Sequence, residues 1–269
     1  MAEDASVKVV LVTGGSSGLG RAICERLAAL GHRVYGTGRD PERDPLGYRL
    51  LAMDISDTGS VDNTVAEILQ REGRIDVVVN NAGLGIQGAV EDVDPELAMR
   101  LLNINVLGAH RVCRAVLPGM RERKQGTIIQ ISSIAANFGL PFRGFYSASK
   151  AALDRWTEAL RVEVQPFEIK VVTVQPGEFN TRIADARLRP QRIGDAYRMR
   201  YERAMEILGG SLHYSRDPAE LSAVIAGIVR DPRPKTIYRV AQGVQKLSVL
   251  AKKLLPGHTF ERLVSKHYE

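Results

Sequence analysis

The sequence predicts an α/β domain in which a doubly wound parallel sheet carries helices on both faces. Three observations predict it: short apolar runs recur at βα spacing, helical patterns separate most of them, and the first run enters a helix through a glycine-rich turn. That first run, residues 7–13, is rich in valine and reads as a buried strand. Further strand-like runs follow at Arg33 to Gly38, Tyr48 to Met53, Ile75 to Asn80, Thr127 to Ile131, Ile169 to Gln175 and Thr236 to Val240, about seven strands in all. Helical patterns fill Val61 to Gln70 and Leu97 to Arg123. Asp94-Pro95 and Asp217-Pro218 each place an N-cap residue before a proline at the first helical position. No low-complexity linker or repeat divides the chain, so residues 1–269 read as a single domain.

The turn itself is Thr13-Gly-Gly-Ser-Ser-Gly-Leu-Gly20, followed by an amphipathic stretch with Ala22, Ile23, Leu27, Ala28 and Leu30. Strand, glycine turn and helix in this order present backbone N–H groups and a positive helix end to a pyrophosphate, which makes the sheet Rossmann-type. Gly14 permits the tight turn, Gly18 lets a phosphate approach the backbone, and Gly20 lets helix and strand pack closely. The spacing is G-x-x-x-G-x-G, which differs from the usual dinucleotide fingerprint G-x-G-x-x-G.

Composition is that of a soluble globule, with 44% hydrophobic and 25% charged residues. The net charge of +6 is spread along the chain with no basic tract interleaved with aromatics, so it points to attraction for anionic cofactors or surfaces and not to nucleic acid. Cys24 and Cys113 fall on helical patterns without CxxC spacing and read as core thiols in a reducing compartment. No N-terminal apolar stretch has the length of a signal peptide or a spanning helix. The expectation is a cytoplasmic protein whose only membrane contact would be peripheral.

Tyr146 and Lys150, in the run Phe145-Tyr-Ser-Ala-Ser-Lys150, lie four residues apart and project from one helix face. A phenol is a poor acid near neutrality, with an ordinary pKa of about 10. A fixed ammonium beside it favours the phenolate, as an enzyme needs when it exchanges a proton with an alcohol oxygen.

These pieces together resemble the short-chain dehydrogenase/reductase family in its compact single-domain branch. The resemblance rests on TGGSSGLG at 13–20, Asp54-Ile55, Asn80-Asn-Ala-Gly83, Asn105-Val106, Ser133, Tyr146 with Lys150, and Pro176-Gly177 followed by Thr181. It runs motif by motif from residue 7 to residue 182. The resemblance implies a catalytic set of Asn105, Ser133, Tyr146 and Lys150. It also implies a cofactor site built from Gly14, Ser16, Ser17, Gly18, Leu19, Gly20, Arg39, Asp54, Ile55, Asn81, Ala82, Gly83, Pro176, Gly177, Phe179 and Thr181, joined by Tyr146 and Lys150. Asp54 would accept a hydrogen bond from an adenine amino group, with a turn or N-cap role as the alternative. The Asn80 and Asn81 side chains would tie their strand end to its neighbour and line a ribose. Asn105 would kink its helix and hold a water that links Lys150 to solvent. Ser133 would support a substrate oxygen together with Tyr146, with its neighbour Ser132 as the local alternative. The five histidines lie outside every matched motif.

The implied reaction is hydride transfer between a nicotinamide and a ketone, aldehyde or secondary alcohol, with Tyr146 as general acid. NADP is expected over NAD, because the second strand ends at Gly38 where an acid would bind a ribose 2′-OH, and Arg39 follows to meet a 2′-phosphate. Asp40 is expected to point away as a turn residue. Residues 182–216 lose regular patterning and read as a substrate lid, whose arginines (Arg182, Arg187, Arg189, Arg192, Arg198, Arg200, Arg203) are placed on a solvated face in preference to an anion grip. Phe138, Leu140, Phe142 and Phe145 stand ready to wall an apolar pocket. The amphipathic segment 244–268 reads as a subunit contact, with a bilayer surface or a cap on the substrate entrance as alternatives. In relatives the helices bearing Asn105 and Tyr146 pack across a two-fold axis, so a homodimer or homotetramer is expected, with Trp156 buried there. The expected substrate is lipid- or steroid-like. The competing function is a catalytically idle, NADP(H)-sensing binding protein of the same fold.

Overall fold

In the computed structural model, which describes residues 7–39, 47–179, 187–211 and 216–268, the apolar runs become strands, the central ones covered on both faces. β1 (Val9–Val12) leads into α1 (Gly18–Ala29), then β2 (Arg33–Gly38), β3 (Arg49–Ala52), α2 (Thr58–Glu72) and β4 (Val77–Asn80). α3 (Pro95–Leu102), a π-helical turn (Asn103–Leu107) and α4 (Gly108–Glu122) precede β5 (Gly126–Ile131), α5 (Gly144–Val164) and β6 (Ile169–Pro176). The chain continues through α6 (Asp195–Ser211), α7 (Pro218–Arg230), β7 (Ile237–Val240), α8 (Gly243–Leu254) and α9 (Gly257–His267).

All seven strands run parallel in the order β3-β2-β1-β4-β5-β6-β7. Strand alternation divides the core in two. Val10, Val12, Val77, Val79, Val172 and Val174 pack with Ile23 and Leu27 of α1 and Leu221 and Ile225 of α7. Val9, Leu11, Val78, Ile128 and Val171 pack on the other side with Val61 and Ile68 of α2, Val112 and Val116 of α4, and Leu160 of α5. Cys24 belongs to the first layer and Cys113 to the second. Burial raises both thiols, Cys113 up to about 12, so neither is a thiolate near neutrality.

Order reverses between β1 and β4, where the strand ends part and open a crevice along their carboxyl edge.

Local structure departs from the sequence reading in three places. The helical pattern expected over Leu97 to Arg123 is interrupted by the π turn at Asn103–Leu107. Asp94 occupies the N-cap position of α3 without a side-chain bond, whereas Asp217 accepts from the Ala219 N–H as expected. Part of the stretch read as irregular, 182–216, is the 17-residue helix α6; residues 182–186 and 212–215 lie outside the described residues. Among the described residues no helix is long and apolar enough to cross a membrane.

Candidate active site

The crevice holds a cavity of about 1080 Å³ that runs from the glycine turn, past the ends of β4 and β5, to the C-terminal helices. At its first end Gly14 and Gly18 adopt the left-handed conformation, with φ +67° and +53°, which glycine takes at little cost. Gly20 has no room for a side chain: a Cβ would lie 2.1 Å from the Gly14 carbonyl oxygen. Ser17 takes the N-cap position of α1 without a side-chain bond, and the first turn carries no acid. The N–H groups of that turn therefore remain available to an anion. Ser16, Ser17 and Leu19 complete this wall.

Beside it stand Gly38 and the exposed Arg39, at the end of β2. Asp40 lies outside the described residues. Asp54 lines the same end, with Ile55. Its Oδ1 accepts bonds from the Ser56 N–H and hydroxyl, at 2.8 and 2.6 Å. These two bonds hold its carboxyl below the ordinary carboxylate range. Both the turn role and the place beside the cavity are thus real, and Oδ2 has no partner among the described residues. The cradle fits a dinucleotide: uncapped N–H donors, a cation and an acceptor sit in one groove that extra Cβ atoms would fill.

The two asparagines after β4 part company. Asn81 donates to the carbonyls of Thr13 and Gly14 at 2.9 and 3.3 Å and ties β4 to β1 as expected. Asn80 turns away from the cavity and donates to Cys113 Sγ, so it lines no ribose. Ala82 and Gly83 lie on the cavity wall, as do Pro176, Gly177 and the buried Phe179. Thr181 lies outside the described residues.

Tyr146, Lys150 and Ser133 all line this cavity. Lys150 is 5% exposed, and its Nζ donates to the Ile131 carbonyl at the end of β5, at 2.9 Å. Burial lowers its ammonium below the ordinary lysine value, while Tyr146 and Asp154 oppose that. Asp154, one turn further along α5, accepts from Gln175 Nε2 at 2.7 Å, and burial raises its carboxyl. Ser133 Oγ accepts from the Ala135 N–H at 3.1 Å, which leaves its own proton to donate. Ser132 turns towards α5 and the Lys150 carbonyl, so Ser133 is the better placed of the pair. The Tyr146 ring packs with Ile86, Leu97 and Leu101, and its hydroxyl has no partner among the described residues.

Asn105 stands behind this wall, on the π turn and 2% exposed. Its Oδ1 accepts from the Leu84 N–H at 2.8 Å, and its Nδ2 donates to the Leu84 carbonyl at 2.9 Å and to Ser149 Oγ at 3.0 Å. Ser149 in turn donates to the Tyr146 carbonyl. The kink is present as expected, but the side chain is taken up by protein groups: it clamps the loop after β4 to the helix that carries Tyr146.

Sequence reasoning missed Ser149, Asp154 and Arg143, and it passed over His267, which reaches the cavity wall from α9. Ser149 lies within the Tyr146–Lys150 run; Asp154, Arg143 and His267 belong to no recognisable local motif. Asn105→Ala leaves the Leu84 N–H and carbonyl without partners and is expected to cost about 2 kcal/mol, with a fall in kcat. Denaturant titration and steady-state kinetics check this; unchanged stability would deny the clamp.

A family profile described as short chain dehydrogenase matches residues 8–192. The chain is 40% identical over 256 residues to a 3-ketodihydrosphingosine reductase of Bacteroides thetaiotaomicron, covering 94% of this chain and 95% of that protein. A short-chain dehydrogenase from Streptomyces avermitilis is 34% identical and superposes with a TM-score of 0.82 over 97% of this chain and 96% of its own. Two structures at 26% identity were solved with nicotinamide cofactors. One is a metagenomic short-chain oxidoreductase with NADP (TM-score 0.70, 87% and 96% covered), the other a 3-ketoacyl-(acyl-carrier-protein) reductase of Brucella melitensis with NADH (TM-score 0.74, 88% and 98%). With its seven-stranded parallel sheet, glycine turn and Tyr-Lys pair, the chain belongs to the short-chain dehydrogenase/reductase family of oxidoreductases.

Proposed function

We propose that the chain is an NADP(H)-dependent reductase of apolar, lipid- or steroid-like ketones and aldehydes, able to run the reverse oxidation. The observation that carries this reading is the continuity of the cavity, from the uncapped end of α1 through Tyr146 to an apolar wall with Phe138, Leu208, Leu247, Phe260 and Leu263. The long-chain ketone named for the relative from Bacteroides supports the same substrate class.

A bound nicotinamide supplies the hydride. Tyr146 gives its hydroxyl proton to the carbonyl oxygen as negative charge develops there. Ser133 donates a hydrogen bond to the same oxygen, so the alkoxide does not form unassisted. Lys150, fixed by the Ile131 carbonyl, favours the phenolate left on Tyr146. Asn105 keeps the loop beside Gly83 in register with α5. Oxidation uses the same groups in reverse.

Removal of the phenol oxygen alone, in Tyr146→Phe, is expected to lower kcat by about 10² to 10⁴ and to leave the Kd for NADPH unchanged. Near-normal turnover would refute the assignment. Tight NADPH binding with no turnover of any ketone by the native protein would favour the idle sensor. Cofactor choice rests on Arg39: Arg39→Ala is expected to raise KM for NADPH about tenfold or more while KM for NADH stays level. A strong NADH preference in the native protein would reverse this part.

The segment 182–216 is assigned the lid, and the C-terminal helices form the far wall. α8 leaves Leu250 and Leu254 51% and 72% exposed beside Lys252 and Lys253, which suits an anionic bilayer at the cavity mouth of a cytoplasmic enzyme. Cosedimentation with anionic vesicles should fall at least about threefold in the double variant Leu250→Asp, Leu254→Asp; equal binding would remove the membrane contact. The exposed Val162 on α5 is compatible with a homodimer or homotetramer, which sedimentation velocity reads directly.

A further inference from the structure

Three arginines of the lid region are paired on the solvent side. Arg192 and Arg198 pair with Asp195, and Arg203 pairs with Glu206. Arg187 differs. Its neighbour Leu188 forms a parallel β-bridge with Ile86 beside the cavity. The Leu188 N–H donates to the Gly85 carbonyl and the Gln87 N–H to the Leu188 carbonyl, both at 2.9 Å. The methylene stem of Arg187 lies over Gly85, where a Cβ would come within 2.9 Å of its Cγ. Its guanidinium lines the same cavity as Tyr146 and has no hydrogen-bond or ion-pair partner among the described residues. Burial lowers its pKa from the ordinary arginine value; Arg143 adds to that lowering, and Tyr146 and Glu178 oppose it.

The second cation of this wall is already engaged. Arg143 is 12% exposed, faces Glu178 at 3.7 Å and donates to the Tyr268 hydroxyl at 3.1 Å, although its buried Nε finds no acceptor. Among the described residues, Glu178 is the one carboxylate acting on Arg187, against the guanidinium groups of Arg143 and Arg189. A half-buried, unpaired guanidinium is costly, and an anion placed against it recovers that cost with charge-assisted bonds. A cationic substrate would meet repulsion instead.

We propose that Arg187 receives an anionic group, a carboxylate or phosphate, carried by the substrate beside its reacting carbonyl, with Arg143 behind it. This rests on the reductase reading and specifies the head of the apolar substrate. The pinned backbone gives the guanidinium a fixed position, so the charge selects among ketones and orients them on Tyr146.

The test compares kcat/KM for four ketones of equal chain length: a neutral α-hydroxyketone, its phosphate monoester, the β-keto carboxylate, and the amino ketone 3-ketodihydrosphingosine. At least one anion should exceed the neutral ketone about tenfold or more, and the two anionic arms tell phosphate from carboxylate. Arg187→Gln should bring that ratio close to one, and Arg187→Lys should keep part of it. A ratio near one in the native protein, a ratio untouched by Arg187→Gln, or preference for the amino ketone overturns the proposal. Should no ketone react, the reductase reading fails by itself. Calorimetry with dodecyl phosphate and dodecanoate then decides: binding about tenfold weaker to Arg187→Gln than to the native protein upholds the anion site, and equal binding removes it.

Discussion

An ammonium held inside the protein is the constraint on which the site depends. Lys150 loses most of its hydration and recovers one direct bond, to the Ile131 carbonyl at the carboxyl end of β5. That bond joins the helix bearing Tyr146 to the strand that ends beside Ser133, so the phenol, the hydroxyl and the amine are positioned by a single junction. Buried charge at such a junction is unfavourable for stability on its own. The surrounding polar groups, Asp154 with Gln175 and Ser132, offset part of that cost, and a carboxylate accordingly lies one turn from the Lys150 amine.

A second layer of support surrounds this junction. The π turn pushes Asn105 out of helical register, where its amide can meet both backbone groups of Leu84. A regular helix would have aimed that side chain elsewhere. The extra residue in the turn therefore links the loop after β4 to α5 through Ser149. The geometry of the candidate site is held by backbone carbonyls and amides as much as by side chains.

The sheet was legible because its central strands β1, β4, β5 and β6 are buried on both faces and so appear as largely apolar runs. The observed strands match the expected ones to within two residues at each end, β5 and β6 running one residue longer. The glycine turn and the Tyr146–Lys150 pair were legible because their requirements are local: left-handed φ values in one case, one helical turn in the other. α6 was not, since its Asp195, Arg198, Arg203 and Glu206 are paired on a polar surface that offers little apolar periodicity. Nor could the sequence separate Arg187 from its neighbours. Its distinction arises from the β-bridge of its neighbour Leu188 to Ile86, about a hundred positions earlier in the chain, and no short pattern encodes that. Asn80 and Asn81 show the same limit: adjacent residues of one type point to opposite sides of the strand end, one to Cys113 and one to the crevice.

The two cysteines have a practical value that their chemistry conceals. Cys24 sits in the layer beneath α1 and α7, and Cys113 in the layer beneath α2 and α4. Both are buried protonated thiols, inert to alkylating reagents until the surrounding helices detach. Each is thus a built-in clock for the opening of one side of the molecule. Comparing their alkylation rates would reveal whether the two layers come apart together or separately, without any engineered label.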